Sequence, residues 1–181
     1  MGAFLEVISD PVQWIGYVGM LFAMLSYQFR KNRTYFLLQA ACGVAFSVQF
    51  VLLHSWAAML MNVFSILRGL IMAGGARFKR IPYLVLMEAL FFASCAASFL
   101  FFGEEWWIAL LLAVAQCGGT LVMWGRDGKK IRLAQLLMIS PLWLTNNIYY
   151  GSIGGIVCEV FNMSSVLVSF IRFRRTGYDK T

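Results

Sequence analysis

Seven apolar runs separated by short polar gaps make up most of this 181-residue chain. They extend roughly from Val12 to Phe29, Thr34 to Leu53, Trp56 to Ala73, Ile81 to Phe102, Trp106 to Trp124, Ile131 to Tyr149 and Ser152 to Ile171. Each fits the about 17 to 25 residues that cross a bilayer as a helix. None alternates like a membrane strand, and lipid leaves a backbone amide no partner outside its own segment. The expected fold class is therefore an all-α membrane protein with seven transmembrane helices. The links His54-Ser55 and Tyr150-Gly151 are so short that spans two and three, and spans six and seven, are expected to be antiparallel hairpins in contact.

Charge gives the spans a direction. Of 15 Lys and Arg residues, all but Arg68 lie in alternate gaps or the tail: Arg30, Lys31, Arg33; Arg77, Lys79, Arg80; Arg126, Lys129, Lys130, Arg132; Arg172, Arg174, Arg175, Lys180. The other gaps carry Glu6 and Asp10, His54 and Ser55, Glu104 and Glu105, or Gly151 and Ser152. Cytoplasmic loops collect Lys and Arg, which predicts the N-terminus outside and the C-terminus inside.

A hydrophobic content of 61% and mean hydropathy of +0.75 describe a chain that lipid must solvate. The net charge of +7 then reads as orientation bias and attraction to anionic lipid, with no nucleic acid as partner. Cys42, Cys95, Cys117 and Cys158 lie within apolar runs without CxxC or His-paired spacing, so no disulfide framework or metal site is expected. The first run lacks a basic flank and reads as a retained helix, not a signal peptide. With neither HExxH nor GxSxG, the chain is not expected to be an enzyme, and no cofactor is implied.

Arg30 to Gln39 (RKNRTYFLLQ) and Arg126 to Gln135 (RDGKKIRLAQ) share a basic turn, an apolar face and a helical Gln at an offset of 96 residues. The flanking halves follow the same plan, so spans one to three and five to seven read as parallel repeats, with span four as the odd helix between them. The expected units are 1–75, a first three-helix bundle; 76–103, linker helix four; and 104–181, a second bundle with a basic cytoplasmic tail. Small residues at Ala89, Ala93 and Ala97, Gly16 and Gly19, Ala41 and Ala45, and Gly118 and Gly119 are the expected packing interfaces. Pro141 is expected to bend span six.

This 3+1+3 plan resembles the MtN3-like superfamily of SWEET sugar transporters, PQ-loop proteins and PnuC vitamin transporters. Within it, the chain is most similar to bacterial YgjV-type inner membrane proteins. The likeness is carried by GYVGMLFAMLSYQFRKNR from Gly16, LLQAACGVAFSVQFVLLHSWAAMLMNVFSILRGL from Leu37 and GSIGGIVCEVFNMSSVLVSFIR from Gly151. The PQ dipeptide of PQ-loop proteins is absent. The resemblance implies a small-solute carrier fold in the bacterial inner membrane.

Polar groups inside the spans nominate the site, because a charge at depth costs about 2.5 to 3.5 kcal/mol. Asn62 and Asn162 lie about 9 and 15 Å from the outer ends of their spans at 1.5 Å per residue. In SWEET-type carriers asparagines on the third and seventh helices face the solute, and this pair is similar in type and position. They are 100 residues apart, not 96, and without a four-residue gap the partner of Asn62 is Cys158. The alternative for each Asn is a hydrogen bond across a helix interface. Glu159 shares a face with Asn162, and Asn146, Asn147, Tyr149 and Tyr150 cluster near the outer end of span six; these groups suit a polar solute with an apolar side. Glu159 is also a candidate for proton coupling or for a purely structural hydrogen bond. Trp143 is a candidate solute contact or a core residue.

Glu88 and Arg68, at equal depth in adjacent antiparallel spans, are expected to form a salt bridge, with an inner gate as the second reading and snorkelling to headgroups as another fate for Arg68. Together these features predict a carrier of a small polar metabolite, sugar-, vitamin- or amino-acid-sized, acting by rocking of the two bundles. A membrane receptor or accessory subunit of the same fold is the alternative. The expected partners are the solute and membrane lipid; a homo-oligomer and a self-sufficient unit both fit the sequence.

Overall fold

The computed structural model describes residues 10–26, 32–74, 81–125 and 127–176. Glu6, Arg30, Lys31, Arg77, Lys79, Arg80, Arg126 and Lys180 lie outside the described residues. The described chain is helical throughout: α1 (Pro11–Ser26), α2 (Asn32–Leu52), α3 (Trp56–Ala73), α4 (Ile81–Phe102), α5 (Trp106–Gly125), α6 (Gly128–Ala134), a π-helical stretch (Gln135–Ile139), α7 (Ser140–Tyr149) and α8 (Ile153–Thr176). Because α6, the π stretch and α7 are consecutive, they form a single interrupted rod, and the described residues hold seven rods.

Local chemistry sets several of these ends. The Asp10 carboxylate accepts from the Val12 amide at 2.8 Å and Pro11 occupies the first turn of α1, where a missing N–H costs no helical bond. Asp127 caps α6 by accepting from the Lys129 and Lys130 amides at 3.0 and 3.2 Å. Two tight turns share one geometry. At 54 and at 151 the backbone is left-handed (φ 56° at His54, 67° at Gly151), and the next amide reaches back five residues, Ser55 N–H to Phe50 O and Ser152 N–H to Asn147 O. Both expected hairpins, α2 with α3 and α7 with α8, are in contact.

Pairwise packing closes six rods into a ring. α1 touches α2, α2 touches α3, α3 touches α5, α5 touches the interrupted rod, that rod touches α8, and α8 returns to α1. α4 lies outside, packed on α3 and α5. The contact of α1 with α8 depends on glycine: a Cβ on Gly154 would come within 2.5 Å of the Gly16 carbonyl carbon, so the two backbones approach as only glycine permits. Gly19 likewise receives Phe46, and Gly118 receives Met138.

One predicted interface is corrected. The buried face of α4 is Met87, Phe91, Ser94 and Ser98, whereas Ala89 and Ala93 are exposed. The alanine stripe therefore faces away from the other rods, because bulky Phe91 fills the crevice between α3 and α5 better than a methyl group.

The exterior is apolar. Phe101 is 80% exposed, Ile81 73% and Leu137 69%, a surface that water tolerates poorly and hydrocarbon solvates. Trp56–Ala73, Ile81–Phe102 and Trp106–Gly125 are each long and apolar enough to cross a membrane, and Pro11–Ser26, Phe36–Leu52 and Ile153–Val168 are shorter apolar stretches. Where a bend was expected at Pro141, the structure has a π stretch just before it. There the Ser140 amide bonds Gln135 O, five residues back, a one-residue insertion in the winding.

Candidate functional site

A cavity of about 170 Å³ lies inside the ring. A single water needs roughly 10 to 15 Å³, so this space is solute-sized. Every rod of the ring contributes to its wall and α4 does not. It runs from Phe36, Met72 and Met123, near the helix ends joined by the basic loops, to Phe50, Asn147 and Gly155 near the opposite, turn-bearing end.

Six of the nominated residues converge on it: Asn62, Arg68, Trp143, Asn147, Glu159 and Asn162. The Asn62 amide donates to Ala58 O one turn back at 2.9 Å, which holds the side chain against its own helix at the cavity wall. The shared face of Glu159 and Asn162 is real, with Asn162 Nδ2 donating to Glu159 Oε2 at 3.3 Å. Ser140, just after the π stretch, accepts from Gln135 Nε2, at its start, at 2.8 Å. Trp143 is 8% exposed, with its ring 6.0 Å from that of Phe50, and both line the cavity. Asn147 Oδ1 is buried without a hydrogen-bond partner.

The cluster around Asn146 does not form as expected. Asn146 is fully buried away from the cavity, its Oδ1 accepting from the Ser55 hydroxyl at 3.4 Å. A helix turns 100° per residue, so neighbouring asparagines cannot both face inward. Tyr149 is exposed and edge-on to Trp107.

The expected Arg68–Glu88 salt bridge is also corrected. Arg68 Nη1 donates to Thr120 Oγ1 at 2.7 Å and Gln116 O at 3.3 Å, and the guanidinium lies 5.4 Å from the Phe91 ring centre. It points toward α5 and the cavity, which it lines. Glu88 is not on the cavity, and its Oε1 is buried without a partner. Phe91, one turn on from Glu88 along α4, takes the position against Arg68.

Sequence reasoning passed over two groups that seal the turn-bearing end. In the first, Gln13 Nε2 donates to Gly151 O (2.9 Å), Gln49 Nε2 and the Ile153 amide donate to Gln13 Oε1 (3.3 and 3.0 Å), and Ser152 Oγ donates to Gln49 Oε1 (2.9 Å). Three side chains and two backbone groups from α1, α2, the α7–α8 turn and the start of α8 satisfy one another. In the second, Glu104 accepts from the Ala57 amide and from the Tyr150 hydroxyl, the latter at 2.6 Å. Its carboxylate caps α3, whose own Ser55 makes no side-chain cap and whose first turn holds no acid. Burial pushes the Glu104 carboxyl above its ordinary range, against the lowering effect of the Tyr150, Ala57 and Ser55 hydrogen bonds. Burial and then the adjacent Glu104 push the Tyr150 hydroxyl up as well.

No curated protein and no solved structure matches this chain. The family model Imp-YgjV, described as a bacterial inner membrane protein, matches residues 11–177, nearly the whole chain, and the protein therefore belongs to that family.

Proposed function

We propose that this inner membrane protein is a carrier of a small polar metabolite, built as seven spans in a SWEET-like 3+1+3 plan with the N-terminus periplasmic and the C-terminus cytoplasmic. The observation that carries the reading is the cavity itself. It is ringed by Asn62, Glu159 and Asn162, closed by protein hydrogen bonds at the turn-bearing end, and continued toward the basic-loop end. A carrier resting with its solute site directed to the cytoplasm has this form, and alternating access requires the Gln13–Gln49–Ser152 seal to open in the opposite state. Inner-membrane residence follows from the family.

The proposed repeat draws support from paired features. Gln39 and Gln135, 96 residues apart, both line the cavity, and each donates to a serine hydroxyl at 2.8 Å, Ser26 and Ser140 respectively. The two left-handed turns fall at nearly the same offset, at 54 and 151. Rocking of one half against the other is a natural motion for such a ring.

The test is solute flux into proteoliposomes together with thermal stabilisation of the purified protein by sugars, nucleosides, vitamins and amino acids, for wild type, Asn62→Ala and Asn162→Ala. The carrier reading expects a stabilising compound that crosses the bilayer in wild type and loses both effects in the two variants. Stabilisation without flux would make the protein a receptor or accessory subunit.

A further inference from the structure

The cavity is electrically polarised along its length. Glu159 lies six residues into α8 and Asn147 two residues from the end of α7, or about 9 Å and about 3 Å from the turn-bearing end at 1.5 Å per residue. Both offer acceptors. Among the described residues, the Glu159 carboxylate accepts from the Asn162 amide and no cation pairs with it. Asn147 Oδ1, on a residue 2% exposed, receives nothing. A buried acceptor left without a donor is destabilising, a deficit that a bound donor removes. Arg68, twelve residues into α3 and about 18 Å from the same end, brings a cationic donor to the deeper part of the wall. In the ring, α3 and α8 are separated by α2 and α1 on one side and by α5 and α7 on the other, so the two charges face each other across the cavity.

We infer that the solute is a small amino-carboxylate, its ammonium held by Glu159 and Asn147 Oδ1 and its carboxylate directed to Arg68. A guanidinium matches a carboxylate in geometry as well as charge, and an ammonium supplies the donor that Asn147 Oδ1 lacks and the cation that the Glu159 carboxylate favours. Neutral sugars satisfy neither pole as fully. Gln116, ten residues into α5 and about 15 Å from the turn-bearing end, lies on the wall between the poles and hydrogen-bonds the uncharged middle of the molecule. The assignment rests on the cavity being the solute site, as proposed above.

The experiment is a thermal-shift and binding series on the detergent-solubilised full chain, using α-, β- and γ-amino acids, the matched amines lacking the carboxylate, the matched hydroxy acids lacking the ammonium, and glucose and uridine as neutral probes. The expected result is binding by one or more amino-carboxylates, with affinity falling tenfold or more when either charged end is removed. Glu159→Gln is expected to abolish the preference for the ammonium and Arg68→Gln the preference for the carboxylate, while Glu159→Asp and Arg68→Lys retain part of each. The wild-type analogue series decides the matter even if a charge-removing variant fails to fold. Binding of glucose or uridine that survives Glu159→Gln, with amino-carboxylates inert, overturns the charge assignment and leaves the carrier reading standing. Absence of binding by every class overturns both.

Discussion

The two ends of the helix ring are built from the same side chains put to opposite uses. At the turn-bearing end, Gln13, Gln49, Ser152, Glu104 and Tyr150 bond to one another or to backbone amides. Along the cavity wall, Asn147 Oδ1 has no hydrogen-bond partner, while Glu159 and Arg68 line the open space with hydrogen bonds of their own. Amides and carboxylates within lipid are expensive in either place. Mutual satisfaction turns that expense into rigidity, whereas a buried acceptor such as Asn147 Oδ1, left unfilled beside open space, is one that a bound donor would complete. Residue type alone does not separate structural from binding groups, and neither does an unfilled hydrogen bond, since Glu88 Oε1 and Asn146 Nδ2 are also unpartnered; what sets Asn147 apart is that its orphaned oxygen belongs to a residue of the cavity wall.

This contrast can be broken most forcefully at the sealed end. Gly154→Val is expected to cost about 3 kcal/mol or more, because the new side chain meets the Gly16 backbone, which cannot yield. Thermal unfolding in detergent should show a lowered midpoint or loss of monodisperse protein. Next comes Glu104→Ala, which removes the cap on α3 and the Tyr150 acceptor together, for about 2 kcal/mol. Tyr150→Phe, which deletes only one bond to a charged group, should cost about half as much in the same assay.

Acidity sharpens the comparison further. Burial raises the Glu104 carboxyl above its ordinary value of 4.5, so in the window between the two values the folded chain retains a proton that the unfolded chain has released. The Glu104 contribution to stability is therefore fully present below pH 4.5 and is lost as pH rises through the raised value. Unfolding midpoints followed across that window should fall with rising pH in wild type and flatten in Glu104→Gln. The smallest stability effect belongs to the cavity wall: Asn62→Ala should cost only about 0.6 kcal/mol, the average for an intramembrane polar contact. The same variant should weaken solute binding tenfold or more. A large stability loss with unchanged binding would instead place Asn62 among the structural groups.

The sequence made depth readable but not direction. Asn62, Asn162, Glu159, Trp143 and Asn147 were nominated because polar or bulky groups within apolar runs are conspicuous, and all five reach the cavity. Arg68 and Glu88 were placed at equal depth, yet their azimuths differ, because Phe91 sits against the guanidinium where a carboxylate was expected. The same ignorance of azimuth misplaced the alanine stripe and Asn146. Gln39, Gln116 and Gln135 were not singled out as site residues because glutamine is common in helical bundles, though the 96-residue offset already joined Gln39 to Gln135. Glu104 gave no signal as one of two acids in a loop. A hint lay in α3, whose first turn carries no acid of its own, so a carboxylate had to come from elsewhere to meet its N-terminal amides.

The π stretch before Pro141 converts chain length into side-chain direction. It stores one residue more than an α-helical path of the same rise, and in an α-helix one residue is worth about 100° of rotation. With Ser140 at its exit and Gln135 at its entrance, the bulge acts as a phase shifter. It lets the basic-loop half of this rod keep the azimuth demanded by α5 while the turn-bearing half, from Ser140 onward, takes the azimuth demanded by α8. A single-residue deletion there would leave composition, hydropathy and span length almost untouched, yet would put the two halves of the rod out of phase.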